Sequence, residues 1–231
     1  MSFEDLNNRI ISCKLCPRLV KYREEVAKNP PKRFRGQTYW AKPLPGFGDV
    51  GARVLVLGLA PAAHGGNRTG RMFTGDSSGD TLVRALHRAG FANMGRSISI
   101  NDGLVLKDVY ITAVVRCAPP DNKPAKQEVE NCLPYLIEEL RMLENVVVVV
   151  ALGRFAFETF FRLMRRMNAY SGRIPRFRHG AVYRLNGSFN GKPLPTVIAS
   201  YHPSRQNTST GRLTQRMIDS VFHRARAIAG L

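Results

Sequence analysis

The chain has 231 residues, 44% hydrophobic and 23% charged, enough for one well-buried core. It has no run of about 18 apolar residues, which excludes a spanning helix, and MSFEDLNNRI lacks the basic-then-apolar order of a secretory leader, so a cytoplasmic, nucleoid-associated protein is expected. The formal net charge is +18, and residues 152–231 carry fourteen Lys or Arg against only Glu158 and Asp219; such a balance points to a polyanionic partner, nucleic acid first.

Residues 1–50 are basic and Pro-rich, hold Cys13 and Cys16, and read as an irregular extension in NPPKRFRG and AKPLPGFGDVG. Gly46, Gly48 and Gly51 match G-x-G-x-x-G, but they precede a strand instead of following one, so a turn is predicted rather than a dinucleotide fingerprint. RVLVLGLA from Arg53 is the first strand, followed by a long glycine-rich loop ending at Asp76. SSGDTLVRALHRAG is a helix with Ser77 or Ser78 as N-cap and Gly90 as its stop. VYITAVVRC from Val109 is the second strand. QEVENCLPYLIEELRML places Val129, Cys132, Leu133, Leu136, Ile137 and Leu140 on one helical face, with Pro134 kinking it or marking its first turn. NVVVVVALG from Asn145 is the third strand, GRFAFETFFRLMRRM the next helix and PTVIASY from Pro195 the fourth strand. A last helix from about Gly211 buries Leu213, Met217, Val221 and Ala225.

Continuous apolar strands alternating with helices define an α/β three-layer sandwich: a four-stranded, mainly parallel central sheet flanked by helices. One domain, residues 1–231, is expected. Cys13 and Cys16 form C-x2-C, and Cys117 and Cys132 complete a set of four. Four thiolates suit tetrahedral zinc or an iron–sulfur cluster, and a metal shared by both pairs would clamp the N-terminal extension to the main domain. Ligands of parallel sheets bind at the carboxyl ends of strands. Three polar loops follow strands here, over 60–76, 118–123 and 202–211, and are expected to converge. The Walker pattern is absent, which disfavours a phosphotransferase.

GLAPAAHGGNRTGRMFTGD, VRCAPPDNKP and SYHPSRQNTSTGR, with CKLCPRLVKYREEV, YWAKPLPGFGD and VALGRFAFE, resemble the uracil-DNA glycosylase superfamily, most closely its family 5, the type B enzymes, over almost the whole chain. The resemblance implies a [4Fe-4S] cluster on Cys13, Cys16, Cys117 and Cys132, with zinc the less favoured occupant. It implies hydrolysis of the N-glycosidic bond of uracil, and of hypoxanthine and other modified bases, in double-stranded DNA, with the nucleotide flipped into a pocket. His202 then matches the histidine that hydrogen-bonds uracil O2 and stabilises the leaving anion. Phe73 matches the aromatic that stacks on the base, with Ala60 beside it. Ser204, Arg205, Gln206 and Asn207 match the loop that enters the minor groove, and Asn67, Arg68, Thr69 and Arg71 are expected on phosphates.

The sequence also departs from the superfamily. Other branches carry GQDP or GEAP where this chain has Leu59 and Ala60, and an Asn where it has Ala113. Asp76 is therefore expected to position water or stabilise the oxocarbenium ion, and Asn122 to contribute to the catalytic pocket. Asp76 also stands where a helix cap worth about 1 kcal/mol belongs. Loss of the Asn gate predicts a broad base range. Lys123 is the only lysine near the loops, so no lyase step is expected. The chain is expected to act as a monomer. The alternative is a non-catalytic iron–sulfur or zinc protein that binds nucleic acid.

Overall fold

The computed structural model describes residues 2–231. Ahead of the irregular NPPKRFRG, the N-terminal segment carries two helices that no pattern in the sequence announced. They are α1 (Phe3–Ile11) and α2 (Pro17–Lys28). Ser2 and Asp5 close a capping box on α1, and Pro17 opens α2 where its missing N–H costs nothing. Leu6, Ile10 and Leu19 are fully buried, and Arg9 makes a bidentate ion pair with Glu138. So few apolar positions make a weak periodic signal.

The elements that follow are β1 (Phe47–Gly48), β2 (Val54–Gly58), the one-turn α3 (Gly66–Thr69), α4 (Ser77–Arg88), β3 (Val109–Ala113), α5 (Lys126–Met142), β4 (Val148–Leu152) and α6 (Arg154–Arg166). Three two-residue strands come next, β5 (Val182–Tyr183), β6 (Ser188–Phe189) and β7 (Lys192–Pro193), then β8 (Thr196–Ser200), the short α7 (Arg205–Ser209) and α8 (Gln215–Ile228). The sheet order is β1-β3-β2-β4-β8-β5. The four central strands are parallel, as expected, with Val54 opposite both Val109 and Val148, and Val148 opposite Thr196. The sheet has six strands rather than four: β1 and β5 pair antiparallel along its two edges. GFGDVG contributes β1, and the Val109 carbonyl stands where a Cβ of Gly48 would be, so this glycine permits a close strand approach.

Alternation along each strand divides the core between the two faces. Val54, Val56, Val148 and Val150 pack with α4 and α8, whereas Leu55, Leu57, Val149 and Ala151 pack with α5, α6 and the N-terminal helices. In α8 the burial is carried by Ile218 and Phe222 together with Val221 and Ala225, while Met217 is only half-buried. Pro134 lies in mid-helix, not in the first turn of α5. The N-cap of α4 is Asp76 rather than Ser77 or Ser78. Arg116 and Glu139, both fully buried, form a bidentate pair, and Glu139 also accepts from Thr112 at 2.7 Å. These bonds join β3 and the segment after it, which carries Cys117, to α5, which carries Cys132.

The crossover from β3 to β4 passes over β2, so the strand order reverses between β2 and β4. That switch point opens a crevice at the carboxyl ends of the strands.

Candidate active site

A cavity of about 940 Å³ occupies this crevice. The three loops predicted to converge do so. Leu59, Ala60, Phe73 and Asp76 come from the first, Asn122 from the second, and His202, Ser204, Arg205 and Gln206 from the third. Ala113 also lines the cavity. With Leu59 and Ala60 it makes an apolar floor that offers no side-chain hydrogen bond to a ligand.

Asp76 caps α4. Its Oδ1 accepts from the Gly79 N–H at 2.8 Å, and Oδ2 lies against the Cα of Gly65, where any Cβ would collide with it. Burial raises the Asp76 pKa above the usual carboxylate value, against the lowering by the Gly79 and Ser78 amides. One oxygen of the carboxylate thus caps the helix through Gly79 while the other lies against Gly65 in the cavity wall.

His202 follows β8 directly. Its backbone carbonyl accepts from Asn207 Nδ2 at 2.9 Å. Burial pushes the imidazole pKa down to about 4, so the ring is neutral near pH 7 and able to donate one N–H. Phe73 packs its ring 5.9 Å from the His202 ring, tilted by 34°. Its backbone is left-handed, with φ of +51°, an unusual cost for an aromatic residue. The Phe73 ring edge also stands 3.1 Å from where a Cβ of Gly58 would be, so the glycine permits its close approach. Asp121 and Asn122 adopt left-handed backbone in succession, φ +53° and +56°, a conformation that Asx side chains tolerate.

The remaining predicted DNA contacts divide. Ser204 caps α7, and Arg205 and Gln206 are exposed at the cavity rim. Asn207 turns inward to hold the His202 carbonyl. Asn67 is 1% exposed and donates to the Arg23 carbonyl, and Arg71 is buried in a bidentate pair with Asp102, with Thr74 and Ser97 also bonded to it. Neither side chain reaches the surface, so both are corrected from phosphate contacts to internal ties of the loop. Arg68 donates to the His64 and Gly75 carbonyls and to Gln37, and lies over the Phe34 ring at 4.3 Å; it too braces the loop. Thr69 likewise spends its hydroxyl on loop carbonyls.

Sequence reasoning missed one wall. Tyr22, Arg33 and Phe34 of the N-terminal segment line the cavity, as does His64, whose Nδ1 is 3.0 Å from the Tyr39 hydroxyl. Only the aromatic and basic content of this segment hinted at it.

The four cysteines surround a second, small cavity between α2, α5 and the end of β3. Cys117 and Cys132 are buried, Cys13 and Cys16 half-buried, and none is in a disulfide. Each sulfur faces a donor. Arg23 Nη1 donates to Cys117 at 3.1 Å and Asn131 Nδ2 to Cys16 at 3.4 Å. The Arg116 backbone N–H donates to Cys132, and Cys13 is bonded to the Tyr135 side chain. Among the described residues, no three His, Cys, Asp or Glu side chains close on a single ion.

Fold and pocket together define an α/β protein with a crevice at the switch point of a parallel sheet, lined by an aromatic ring, a carboxylate and a neutral histidine. Residues 45–226 match the family model described as the uracil DNA glycosylase superfamily. The chain is 49% identical to a type-5 uracil-DNA glycosylase of Thermus thermophilus, covering the full length of both. It is 48% identical to one of Mycobacterium leprae over all of this chain and 97% of that protein. A type-4 uracil-DNA glycosylase of Pyrobaculum aerophilum is 32% identical over 88% of this chain and 84% of its own length. The chain belongs to the uracil-DNA glycosylase superfamily, in its type-5 group. Among the described residues no helix is long and apolar enough to cross a membrane.

Proposed function

We propose that the chain is a DNA-repair glycosylase that hydrolyses the bond between deoxyribose and uracil in double-stranded DNA. The observation that carries this reading is one cavity holding the Asp76 carboxylate, the neutral His202 and the Phe73 ring. Family membership supports it.

Cleavage leaves positive charge on the sugar and negative charge on the departing base, and preorganised groups that meet both charges lower the barrier. The cavity suits a nucleotide rotated out of the stack, since an enzyme cannot reach the bond inside a duplex. Phe73 stacks on the base. His202, neutral, donates its N–H to the uracil O2 as charge builds there. Asp76 keeps one oxygen on the helix amide, and the other orients the attacking water and faces the cationic sugar. Asn122 contacts the base from the opposite loop. Arg205 and Gln206 enter the space that the base vacates.

Leu59, Ala60 and Ala113 surround the base without reading its edge. A pocket that discriminates by shape separates ligands weakly, so hypoxanthine and other modified bases are accepted as well. Lys123 does not line the cavity, which favours hydrolysis without a lyase step. A single chain carries all of these groups, so the enzyme works as a monomer.

Cys13, Cys16, Cys117 and Cys132 would hold a [4Fe-4S] cluster: all four line one small cavity, and each sulfur faces a hydrogen-bond donor. Such donors stabilise ligated thiolates. The cluster ties α1 and α2, and with them Tyr22, Arg33 and Phe34, to the sheet. Its role is structural, since hydrolysis moves no electron.

The test is base release from duplexes containing uracil, hypoxanthine or thymine, with borohydride trapping run in parallel. Free uracil without a trapped adduct is expected. No base release contradicts the glycosylase reading, and a trapped adduct contradicts hydrolysis alone.

A further inference from the structure

Beyond the cavity, a second polar cleft opens at the same end of the sheet, between α8 and the start of β5. Its volume is about 340 Å³, and His179, Arg216, Ser220 and Arg224 line it. Arg216, Ser220 and Arg224 are spaced i, i+4 and i+8, one face of α8. All three are accessible at the surface. Arg224 uses Nη1 on the Gly180 carbonyl at 2.8 Å. Arg216 has no ion-pair partner among the described residues. Asp219, the one acid of α8, points to the other side, where it pairs with Arg88 at 2.7 Å and accepts from Gln215. Among the described residues no carboxylate lines the cleft.

His179 completes the donor set. The Tyr201 N–H donates to its Nδ1 at 3.0 Å, which places the proton of the neutral ring on Nε2. The His179 and Tyr201 rings stack at 4.9 Å and 12°. Arg212 covers the Tyr201 ring at 4.6 Å. Tyr201 is the residue before His202, so the cleft is joined to the base pocket through one peptide unit. Guanidinium groups, an imidazole N–H and a hydroxyl lining one cleft without an acid suit a phosphate oxyanion.

We propose that His179, Arg216, Ser220 and Arg224 hold a backbone phosphate of the duplex on the α8 side of the flipped nucleotide. This rests on DNA being the substrate, and it assigns the direction in which the duplex leaves the pocket. The clamp fixes the strand while His202 engages the base.

The experiment is duplex binding over a KCl series, read by fluorescence anisotropy, for the wild type, Arg216→Gln, Arg216→Gln/Arg224→Gln and the control Arg141→Gln. Removing one arginine from a bound phosphate should reduce the slope of log K against log salt by about one unit. A shallower slope for Arg216→Gln, a shallower one still for the double variant, and an unchanged slope with unchanged base release for Arg141→Gln are expected. An unchanged slope in a double variant with wild-type circular dichroism overturns the proposal, as does an equal reduction in the control. Inorganic phosphate is titrated alongside. Its binding to the wild type but not to Arg216→Gln, with no change in the duplex slope, would make this a free-phosphate site and overturn the DNA assignment. A wild type that released no base yet showed these slope changes would sink the glycosylase reading and leave this one standing.

Discussion

The Asp76 carboxylate rests on the Cα of Gly65, and its second oxygen occupies the place of the missing Cβ. One residue of the cavity loop thereby fixes the carboxylate that the same loop delivers at its far end. Gly65→Ala must displace Asp76 or itself. A misplacement of about 1 Å near the chemistry costs roughly 10²-fold in rate. Single-turnover uracil release should fall by about 10- to 100-fold on that scale, with thermal stability lowered by no more than the loss of a helix cap, about 1 kcal/mol. Wild-type release by Gly65→Ala would show that the Asp76 position is unimportant.

His202 titrates at about 4, against an ordinary value of 6.5. The ring is therefore neutral above about pH 5, the form that the proposed donor role requires. Its lowered pKa means that the folded state resists protonation, so stability falls as pH drops from 6.5 toward about 4. Asp76, with its raised pKa, loses charge above the usual carboxylate range. The single-turnover pH profile should be flat through 6.5 and fall only on the acid side. An inflection at 6.5 that vanishes in His202→Asn would contradict the neutral donor.

Asp102 holds Arg71 with both oxygens and accepts from the Ile98, Ser99 and Leu104 amides, and these bonds outweigh burial to hold its pKa at about 2. Its stabilisation is complete above about pH 4 and is lost as pH falls toward 2. Breaking one partner of a buried pair costs about 3–5 kcal/mol. Asp102→Asn should lower stability by about 3 kcal/mol at neutral pH on that scale and flatten the dependence between about pH 4 and 2. Urea denaturation at neutral and at acid pH measures it. Equal stability of variant and wild type at neutral pH would show that Arg71 does not need its carboxylate.

If the four cysteines hold the proposed [4Fe-4S] cluster, Cys117→Ser should abolish its visible absorbance and its bound iron and sulfide, and lower the melting temperature by loosening α1 and α2. Arg23→Gln removes the donor to Cys117 and should retain the iron but lose it faster to a chelator. Full colour in Cys117→Ser would remove Cys117 from the ligand set.

Much of this architecture is legible in the sequence because it rests on repetition. The four central strands are mostly apolar, and loops after parallel strands have one place to go. That logic brings the three loops together, and the resemblance to the superfamily then picks Phe73, Asp76, Asn122 and His202 within them. Two-residue edges such as Phe47–Gly48 and Val182–Tyr183 carry too few positions to form a pattern. Asn67 and Arg71 look like surface residues because they are polar, yet a long loop needs internal donors for its own carbonyls and acids, and these two supply them. The wall of Tyr22, Arg33 and Phe34 depends on how α2 docks, which no local pattern encodes.

Whether Asp76 carries the chemistry is tested most directly by single-turnover uracil release from a uracil-containing duplex, comparing the wild type with Asp76→Asn. Asparagine caps a helix about as well as aspartate, so the variant should keep the wild-type melting temperature within the cap's small difference and separate charge from structure. Uracil release by the wild type is expected, with a loss on the order of 10²-fold or more in Asp76→Asn, the size of one lost electrostatic stabiliser. Release by Asp76→Asn at the wild-type rate would contradict this role of the carboxylate.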